Sequence, residues 1–138
     1  MFWGVILGAT GKIVLVLWER DDWGTITVQT YVDYILVPFI WPFWYWESIA
    51  TGRTLWLMED GAPEHLAQHT QAYREQFKIP TLTWPPSSPG LNPIENIWSV
   101  LKPKLNAHNP RPEAKQQMNQ AILEEWNAIC RGYSEECR

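Results

Sequence analysis

Apolar positions along the chain follow the periods of strands and helices in turn, and turn residues separate the segments. Two short β-branched runs flank Ala9-Thr10-Gly11 and predict a hairpin, because the glycine can adopt the positive φ of a tight connection. The order of all segments predicts an α/β fold in which helices pack on a mixed sheet of about four strands. The predicted elements are hairpin strands Phe2–Gly8 and Lys12–Trp18, a helix over Thr25–Pro38, a strand over Thr54–Met58, a helix over Ala62–Phe77, a strand over Thr81–Trp84, a helix starting at Asn92, and a last helix from about Pro112 to Arg131.

The start of the helix at Asn92 has the clearest local signal. Asn92 is a favoured N-cap residue, Pro93 suits the first helical position, and Glu95 lies in the first turn. Pro103 predicts that this helix kinks or ends near Lys102, because proline lacks the N–H that the helix interior requires.

Length, composition and charge limit the possible classes of protein. The chain has 138 residues, of which 46% are hydrophobic, so it can bury one modest core. Ten Trp, five Tyr and four Phe exclude a disordered polymer. We expect the aromatic run Phe39–Trp46 to be partly exposed and to support self-association or docking. A net charge of −4 argues against a free-standing DNA-binding protein, whose affinity would come from Lys and Arg.

Apolar runs and cysteines argue against two further classes. The run Phe2–Leu17 has no basic residues at its start and is broken by glycines and a lysine, so it does not predict a signal peptide. The run Ile35–Trp46 is short and contains two prolines, so it does not predict a membrane span. Cys130 and Cys137 lack a third Cys or a His at zinc-binding spacing. We therefore expect an intracellular protein with two reduced thiols.

Two segments carry the candidate chemistry. Leu57-Met58-Glu59-Asp60-Gly61-Ala62-Pro63-Glu64-His65 places Asp60 at the end of a predicted strand, and WPPSSPGLNPIENIWSVLK places Glu95 in the first turn of a helix. Together they resemble the Tc/mariner superfamily of DDE transposases. In that family an Asp ends a strand before an Asn-Ala-x-x-His-like turn, and a Glu follows a Pro-Ser-rich loop in an Asn-Pro-Ile-Glu helix start. The spacing between Asp60 and Glu95 is also typical of one main branch of the family.

The resemblance implies a ribonuclease-H-like fold without its first strand, and metal-dependent cleavage and joining of DNA in the nucleus. Such chemistry uses two divalent ions about 4 Å apart, and carboxylates are the ligands that Mg²⁺ prefers. By this resemblance, Asp60 and Glu95 are the catalytic and metal-binding residues, and His65 and Asn92 are secondary. The implied cofactor is Mg²⁺ or Mn²⁺, and the implied partner is DNA.

Departures from the family pattern modify this expectation. Gly61 stands where the family has Asn, and the family's first catalytic Asp lies on a strand upstream of the segment that corresponds to Phe2-Trp3-Gly4. The family's helix-turn-helix DNA-binding region has no counterpart either. We expect residues 1–138 to be a single, N-terminally truncated catalytic domain that is inactive alone. The alternative is a non-enzymatic, domesticated remnant that acts as a binding or assembly module.

Each candidate residue also has a purely structural interpretation. Glu95 can bond the backbone of the N-cap residue and favour the helix dipole. Asp60 can be a turn former, and His65 can be a packed or solvated histidine. We expect Glu59 and Glu64, which flank the candidate site, to be solvated carboxylates rather than ligands. The pairing of Asp60 and Glu95 in two matching contexts favours the catalytic interpretation.

Overall fold

A computed structural model describes residues 1–7, 11–83, 85 and 88–133. The described part is mixed α/β and mostly helical, with one two-stranded antiparallel sheet. Its backbone divides into two compact units, residues 1–18 with 90–138 and residues 19–89. The strands are β1 Phe2–Ile6 and β2 Ile13–Leu17, and the helices are α1 Arg20–Trp23, α2 Val28–Tyr31, a π-helix over Val32–Ile40, α3 Trp41–Thr51, α4 Pro63–Leu66, α5 Gln68–Gln76, a 3₁₀ turn over Pro89–Leu91, α6 Pro93–Asn106 and α7 Lys115–Tyr133.

The first unit is built on the β1–β2 hairpin, as predicted. The strands pair in register from Phe2 opposite Leu17 to Ile6 opposite Ile13. Helices α6 and α7 pack on the hairpin and on each other. Apolar side chains from all four elements form the core, whose buried members are Ile13, Ile97, Leu101, Trp126, Ile129 and Cys130.

Gly4 allows the indole rings of this unit to approach the hairpin closely. A Cβ on Gly4 would lie 2.8 Å from Cη2 of Trp98 and 3.2 Å from Cη2 of Trp126. The two rings also pack on each other, with centroids 5.8 Å apart. The sequence therefore has a residue without a side chain at the point where two large rings meet the strand.

Helix α6 begins as predicted, but it does not end where proline predicts. Asn92 is the N-cap and Pro93 the first helical residue, yet the helix continues through Pro103 to Asn106. Ile97 and Leu101 bury one face just before the proline, and the amide of Ala107 still bonds the Pro103 carbonyl at 3.0 Å. Tertiary packing thus outweighs the loss of one helical hydrogen bond near the C-terminal end. The last helix begins at Lys115 rather than near Pro112.

The second unit contains a continuous helical segment that is longer than predicted. Helical structure begins at Val28 and continues beyond Pro38 to Thr51, where Gly52 ends it with a positive φ of 63°. Pro38 lies within the π-helix, whose altered bonding accommodates a residue that lacks an N–H. Pro42 lies at the start of α3, where the π-helix passes into the α-helix.

Two predicted strands of the second unit are reduced to one bridge. Leu57 and Thr81 form an isolated parallel β-bridge, with Leu57 N bonded to Pro80 O and Leu82 N bonded to Leu57 O, each at 2.8 Å. Trp84, the last residue of the second predicted strand, lies outside the described residues. The predicted sheet of about four strands is therefore not found in the described part of the chain, and the ribonuclease-H-like architecture stays a prediction.

Three further findings correct or qualify the expectations. The helix predicted over Ala62–Phe77 is divided into α4 and α5 at Ala67, whose ψ is 140°. Cys130 is disulfide-bonded, so the expectation of two reduced thiols was wrong. Within the ranges that the structure describes, no helix combines the length and the apolar character needed to cross a membrane.

Candidate active site

Asp60 lies in a turn that connects the bridge at Leu57 to helix α4. Its Oδ1 accepts a hydrogen bond from the amide of Ala62 at 3.1 Å, which makes an Asx-type turn. The same Oδ1 lies 2.6 Å from Nδ1 of His65. The structure therefore brings together two residues that the sequence singled out, Asp60 and His65.

The Asp60 carboxylate is exposed, whereas its histidine partner is not. The side chain of Asp60 is 63% exposed and that of His65 is 13% exposed. Among the described residues, the contacts of the Asp60 carboxylate with the Ala62 amide and the His65 ring both involve Oδ1, and Nδ1 of His65 also lies 3.3 Å from the Asp60 main-chain carbonyl. Oδ2 is thus available to solvent or to a ligand as a hard oxygen donor.

Glu59 is buried, so the expectation of a solvated carboxylate was wrong. Its side chain is 7% exposed and forms an ion pair with Arg74, whose side chain is 10% exposed. Nη1 of Arg74 donates to Oε2 of Glu59, and the Tyr31 hydroxyl donates to Oε1. Two partners from distant parts of the sequence therefore compensate the buried charge.

Tyr31 contacts both Glu59 and His65. Its ring centroid lies 4.7 Å from that of His65, with the planes inclined at 57°. Burial, followed by the negative charge of Glu59, raises the pKa of the Tyr31 hydroxyl well above its ordinary value of 10.0. The hydroxyl therefore stays protonated at neutral pH and acts as a donor to Glu59.

One face of α5 binds the main chain of α4. The Thr70 hydroxyl donates to the Glu64 carbonyl at 2.6 Å, and Nε2 of Gln71 donates to the Leu66 carbonyl at 2.7 Å. Nη2 of Arg74 donates to the carbonyl of His65. Three polar side chains thus hold three consecutive carbonyls, which satisfies acceptors that helix α4 leaves unpaired at its end.

Sequence reasoning missed Arg74, Thr70 and Tyr31. Apolar spacing would place Leu66 on the inner face of the helix predicted here, but that side chain is exposed, whereas Thr70 and Arg74 are buried. The two buried residues are four positions apart and share one helix face. Their spacing was the available signal, but polar side chains at that spacing more often face solvent.

Glu95 lies in the first unit, in the first turn of α6. The side chain of Asn92 caps the helix by accepting from the Ile94 amide at 3.3 Å. The Glu95 side chain is half-buried, and in the described part of the chain it makes no hydrogen bond to the Asn92 backbone. The proposed capping role of this carboxylate is therefore not observed, although its negative charge suits the helix N-terminus.

Carboxylate ligands for a metal are present singly rather than as a cluster. Among the described residues, no group of three or more His, Cys, Asp or Glu side chains could hold a metal ion. Asp60 belongs to one unit and Glu95 to the other, and their convergence on one site stays a prediction. By the chemistry of their oxygens, both can serve as ligands for Mg²⁺ or Mn²⁺.

Comparison with known proteins identifies a family and several relatives. The model of the DDE superfamily endonuclease family matches residues 9–118, which is most of the chain. The chain is 38% identical over 71 residues to the Transposable element Tc3 transposase of Caenorhabditis elegans, a match that covers 51% of this chain and 22% of that protein. It is 31% identical over 84 residues to the Transposable element Tc1 transposase of the same organism, covering 61% of this chain and 30% of that protein. The match thus spans less than a third of either relative.

Proposed function

We propose that this chain, which belongs to the DDE superfamily endonucleases as a Tc/mariner-like transposase domain, contributes Asp60 and Glu95 to a centre for metal-dependent cleavage and joining of DNA. Proteins of this family generally use divalent metals and act on DNA, which supports the class of reaction proposed. The assignment of the two carboxylates and the dependence on Mg²⁺ or Mn²⁺ are the finer parts of the proposal.

The geometry of Asp60 is the observation that carries this proposal. Its carboxylate is exposed, while the Ala62 amide and the His65 ring hold only one of its two oxygens. A carboxylate held in one direction with one outward oxygen suits a shared metal ligand. A bound divalent ion would stabilise charge on the attacking and leaving oxygens of a phosphodiester. Asp60 and Glu95 would bind the ion, and His65 would orient Asp60.

We further propose that the 138-residue chain alone does not cut DNA. Its net charge of −4 repels phosphates. One of its few basic side chains, Lys104, forms an ion pair with Glu125 at 3.3 Å and is thereby partly neutralised. Productive alignment of DNA with the carboxylates therefore needs positive charge from elsewhere.

We also propose that the protein is located in the nucleus, where a transposase would meet its DNA. Imaging of the tagged chain in cells tests this location.

The experiment measures Mn²⁺ binding by electron paramagnetic resonance and, in parallel, nicking of supercoiled plasmid. We expect weak Mn²⁺ binding that is lost in Asp60→Asn and in Glu95→Gln and retained in Asp22→Asn, a matched change at another exposed carboxylate. Equal Mn²⁺ binding in all four proteins would contradict the ligand assignment. Nicking by the native chain that disappears in the Asp60 and Glu95 variants would confirm the ligands and overturn the proposal that the chain is inactive alone.

A second function, self-association, is supported by one surface of α3. Tyr45, Trp46 and Ile49 are exposed on this helix, and neighbouring exposed apolar side chains are typical of an interface. Sedimentation at micromolar concentration tests this idea, with Trp46→Ala as the variant and Trp56→Ala as the control for another exposed indole. A native chain that sediments as a clean monomer would contradict it.

A further inference from the structure

We propose that Arg74 is a positioning residue, whose guanidinium connects the two ends of the turn from Glu59 to His65 and thereby sets the direction of the Asp60 carboxylate. The inference deepens the proposed function, because it concerns how a metal ligand is aimed. Its structural half, the restraint on the turn, does not depend on the metal.

The geometry of the guanidinium supports this role. Nη1 donates to the carboxylate of Glu59, the residue immediately before Asp60, and Nη2 donates to the main-chain carbonyl of His65, which ends the turn. Since the guanidinium is planar and rigid, its two nitrogens fix the separation of the two acceptors. Asp60 lies between the two acceptors in the sequence, so these bonds restrain the segment that contains it.

Neighbouring contacts make the restraint stiff. Thr70, which is fully buried on the same face of α5, donates to the Glu64 carbonyl at 2.6 Å. Tyr31 donates to the second oxygen of Glu59, and its ring packs on His65. The Glu59 carboxylate is therefore held by a second donor, and the His65 residue is held by the packing of its ring and by the bond to the preceding carbonyl.

The decisive variant is Arg74→Lys, because lysine keeps the positive charge and loses the fork. A lysine ammonium can neutralise Glu59 but cannot also reach the His65 carbonyl in the same fixed geometry. If Arg74 served only as a counter-charge, the Arg74→Lys variant would keep both the stability and the local order of the native chain. If Arg74 bridges the turn, the variant keeps most of the stability but the turn becomes more mobile.

Amide hydrogen exchange followed by NMR measures the loosening directly. The Ala62 amide reports on the turn, because it donates to Oδ1 of Asp60. We expect it to exchange about tenfold faster or more in Arg74→Lys, while amides of α6 keep their native rates. Arg53→Lys, an exposed arginine in the same unit, is the matched control and should leave Ala62 unchanged. A native exchange rate at Ala62 in folded Arg74→Lys would overturn the proposal.

A second variant covers the case in which Arg74→Lys does not fold. Thr70→Val nearly conserves shape and removes only the hydroxyl that bonds the Glu64 carbonyl. We expect faster exchange at Ala62 here too, with a smaller change than for Arg74→Lys. When Arg74→Lys cannot be measured, an Ala62 amide that exchanges in the native chain as fast as an unprotected amide would show that the turn is not restrained, and would overturn the proposal.

Paramagnetic relaxation by Mn²⁺ separates this inference from the proposed function. In the native chain we expect Mn²⁺ to broaden the Gly61 and Ala62 amides, and Asp60→Asn to abolish the broadening. Arg74→Lys should weaken the Mn²⁺ affinity by about tenfold, the usual effect of losing a residue that orients a metal ligand. Absence of Asp60-dependent broadening would contradict the proposed function alone, since the exchange rates would still decide whether Arg74 positions the turn. Native Mn²⁺ affinity in Arg74→Lys would overturn the role of Arg74 toward the metal ligand.

Discussion

The unit that contains the hairpin, α6 and α7 buries an apolar cluster, whereas the unit of residues 19–89 also buries an arginine, a glutamate and a threonine. The stabilisation from apolar burial has no preferred direction, and it decreases in steps as buried methyl and methylene groups are removed. A buried charge pair is directional, and it fails abruptly when one member is removed. The unit that carries Asp60 therefore combines its apolar core with contacts that determine orientation, which a metal ligand needs more than extra stability.

The largest effect should follow removal of one member of the buried pair. Arg74→Met leaves the Glu59 carboxylate buried without its counter-charge, and we expect a loss of about 3–5 kcal/mol in the free energy of unfolding. Urea unfolding followed by circular dichroism measures the loss. The double variant Glu59→Met with Arg74→Met should recover most of it, because no charge then remains buried. A double variant no more stable than Arg74→Met would show that the pair is not the reason for the loss.

A smaller loss of stability should follow a change in the apolar unit, which comprises residues 1–18 and 90–138. Gly4→Ala introduces a methyl group 2.8 Å from the Trp98 ring, and the strand or the two indoles must then move. Overpacking of this kind costs about 1–3 kcal/mol, which we expect to measure as a lower urea midpoint. Gly61→Ala is the control, because a Cβ there meets no atom within 4 Å. Equal stability of the two variants would show that the approach of the indoles at Gly4 is not tight.

Local patterns were sufficient to predict most of the apolar unit. The hairpin follows from two β-branched runs and a glycine, and the start of α6 follows from Asn92 and Pro93. The last helix was predicted from its apolar spacing, and Ile122, Trp126 and Ile129, at helical spacing on α7, are buried. Each of these features depends on residues that are close in sequence, where periodicity and capping rules apply.

The candidate site could be predicted only in part, because its supporting contacts connect distant positions. Asp60 and His65 are five residues apart and were found from a motif. Glu59 instead depends on Tyr31, which is 28 residues away, and on Arg74, which is 15 residues away. No periodic pattern signals such a pairing, so a buried glutamate looks like a solvated one in the sequence. The helix beyond Pro38 was missed because a proline usually ends or kinks a helix, whereas Pro38 lies inside a π-helix here.

Alkaline pH should lower the stability of the unit of residues 19–89, because this unit buries the Tyr31 hydroxyl. Its pKa is raised in the folded state, so the hydroxyl favours folding fully below its ordinary value of 10.0. Above that pH the unfolded chain loses the proton while the folded chain keeps it, and stability falls as pH rises toward the folded-state pKa. We expect this loss in alkaline urea titrations of the native chain and a clear reduction of it in Tyr31→Phe. If the stability of Tyr31→Phe falls with alkaline pH as much as that of the native chain, the loss does not come from Tyr31.

The smallest effect belongs to an ion pair of the apolar unit, which sharpens the contrast with the buried pair. Glu125 Oε1 lies 2.9 Å from His108 Nε2, and its other oxygen lies 3.3 Å from the Lys104 ammonium. The hydrogen bond with His108, with a further contribution from Lys104, lowers the pKa of Glu125 below its ordinary value of 4.5. A lowered pKa means that this contribution is present above pH 4.5 and disappears as pH falls through the folded-state pKa.

Since surface pairs contribute about 1 kcal/mol at most, Glu125→Gln should lower stability slightly at neutral pH. The variant should have no effect on stability at pH values below the folded-state pKa of Glu125. Urea midpoints across acidic pH measure the difference, with Glu124→Gln as the control for an exposed neighbour on the same helix. A loss in Glu125→Gln as large as that in Arg74→Met would remove the distinction between the two units.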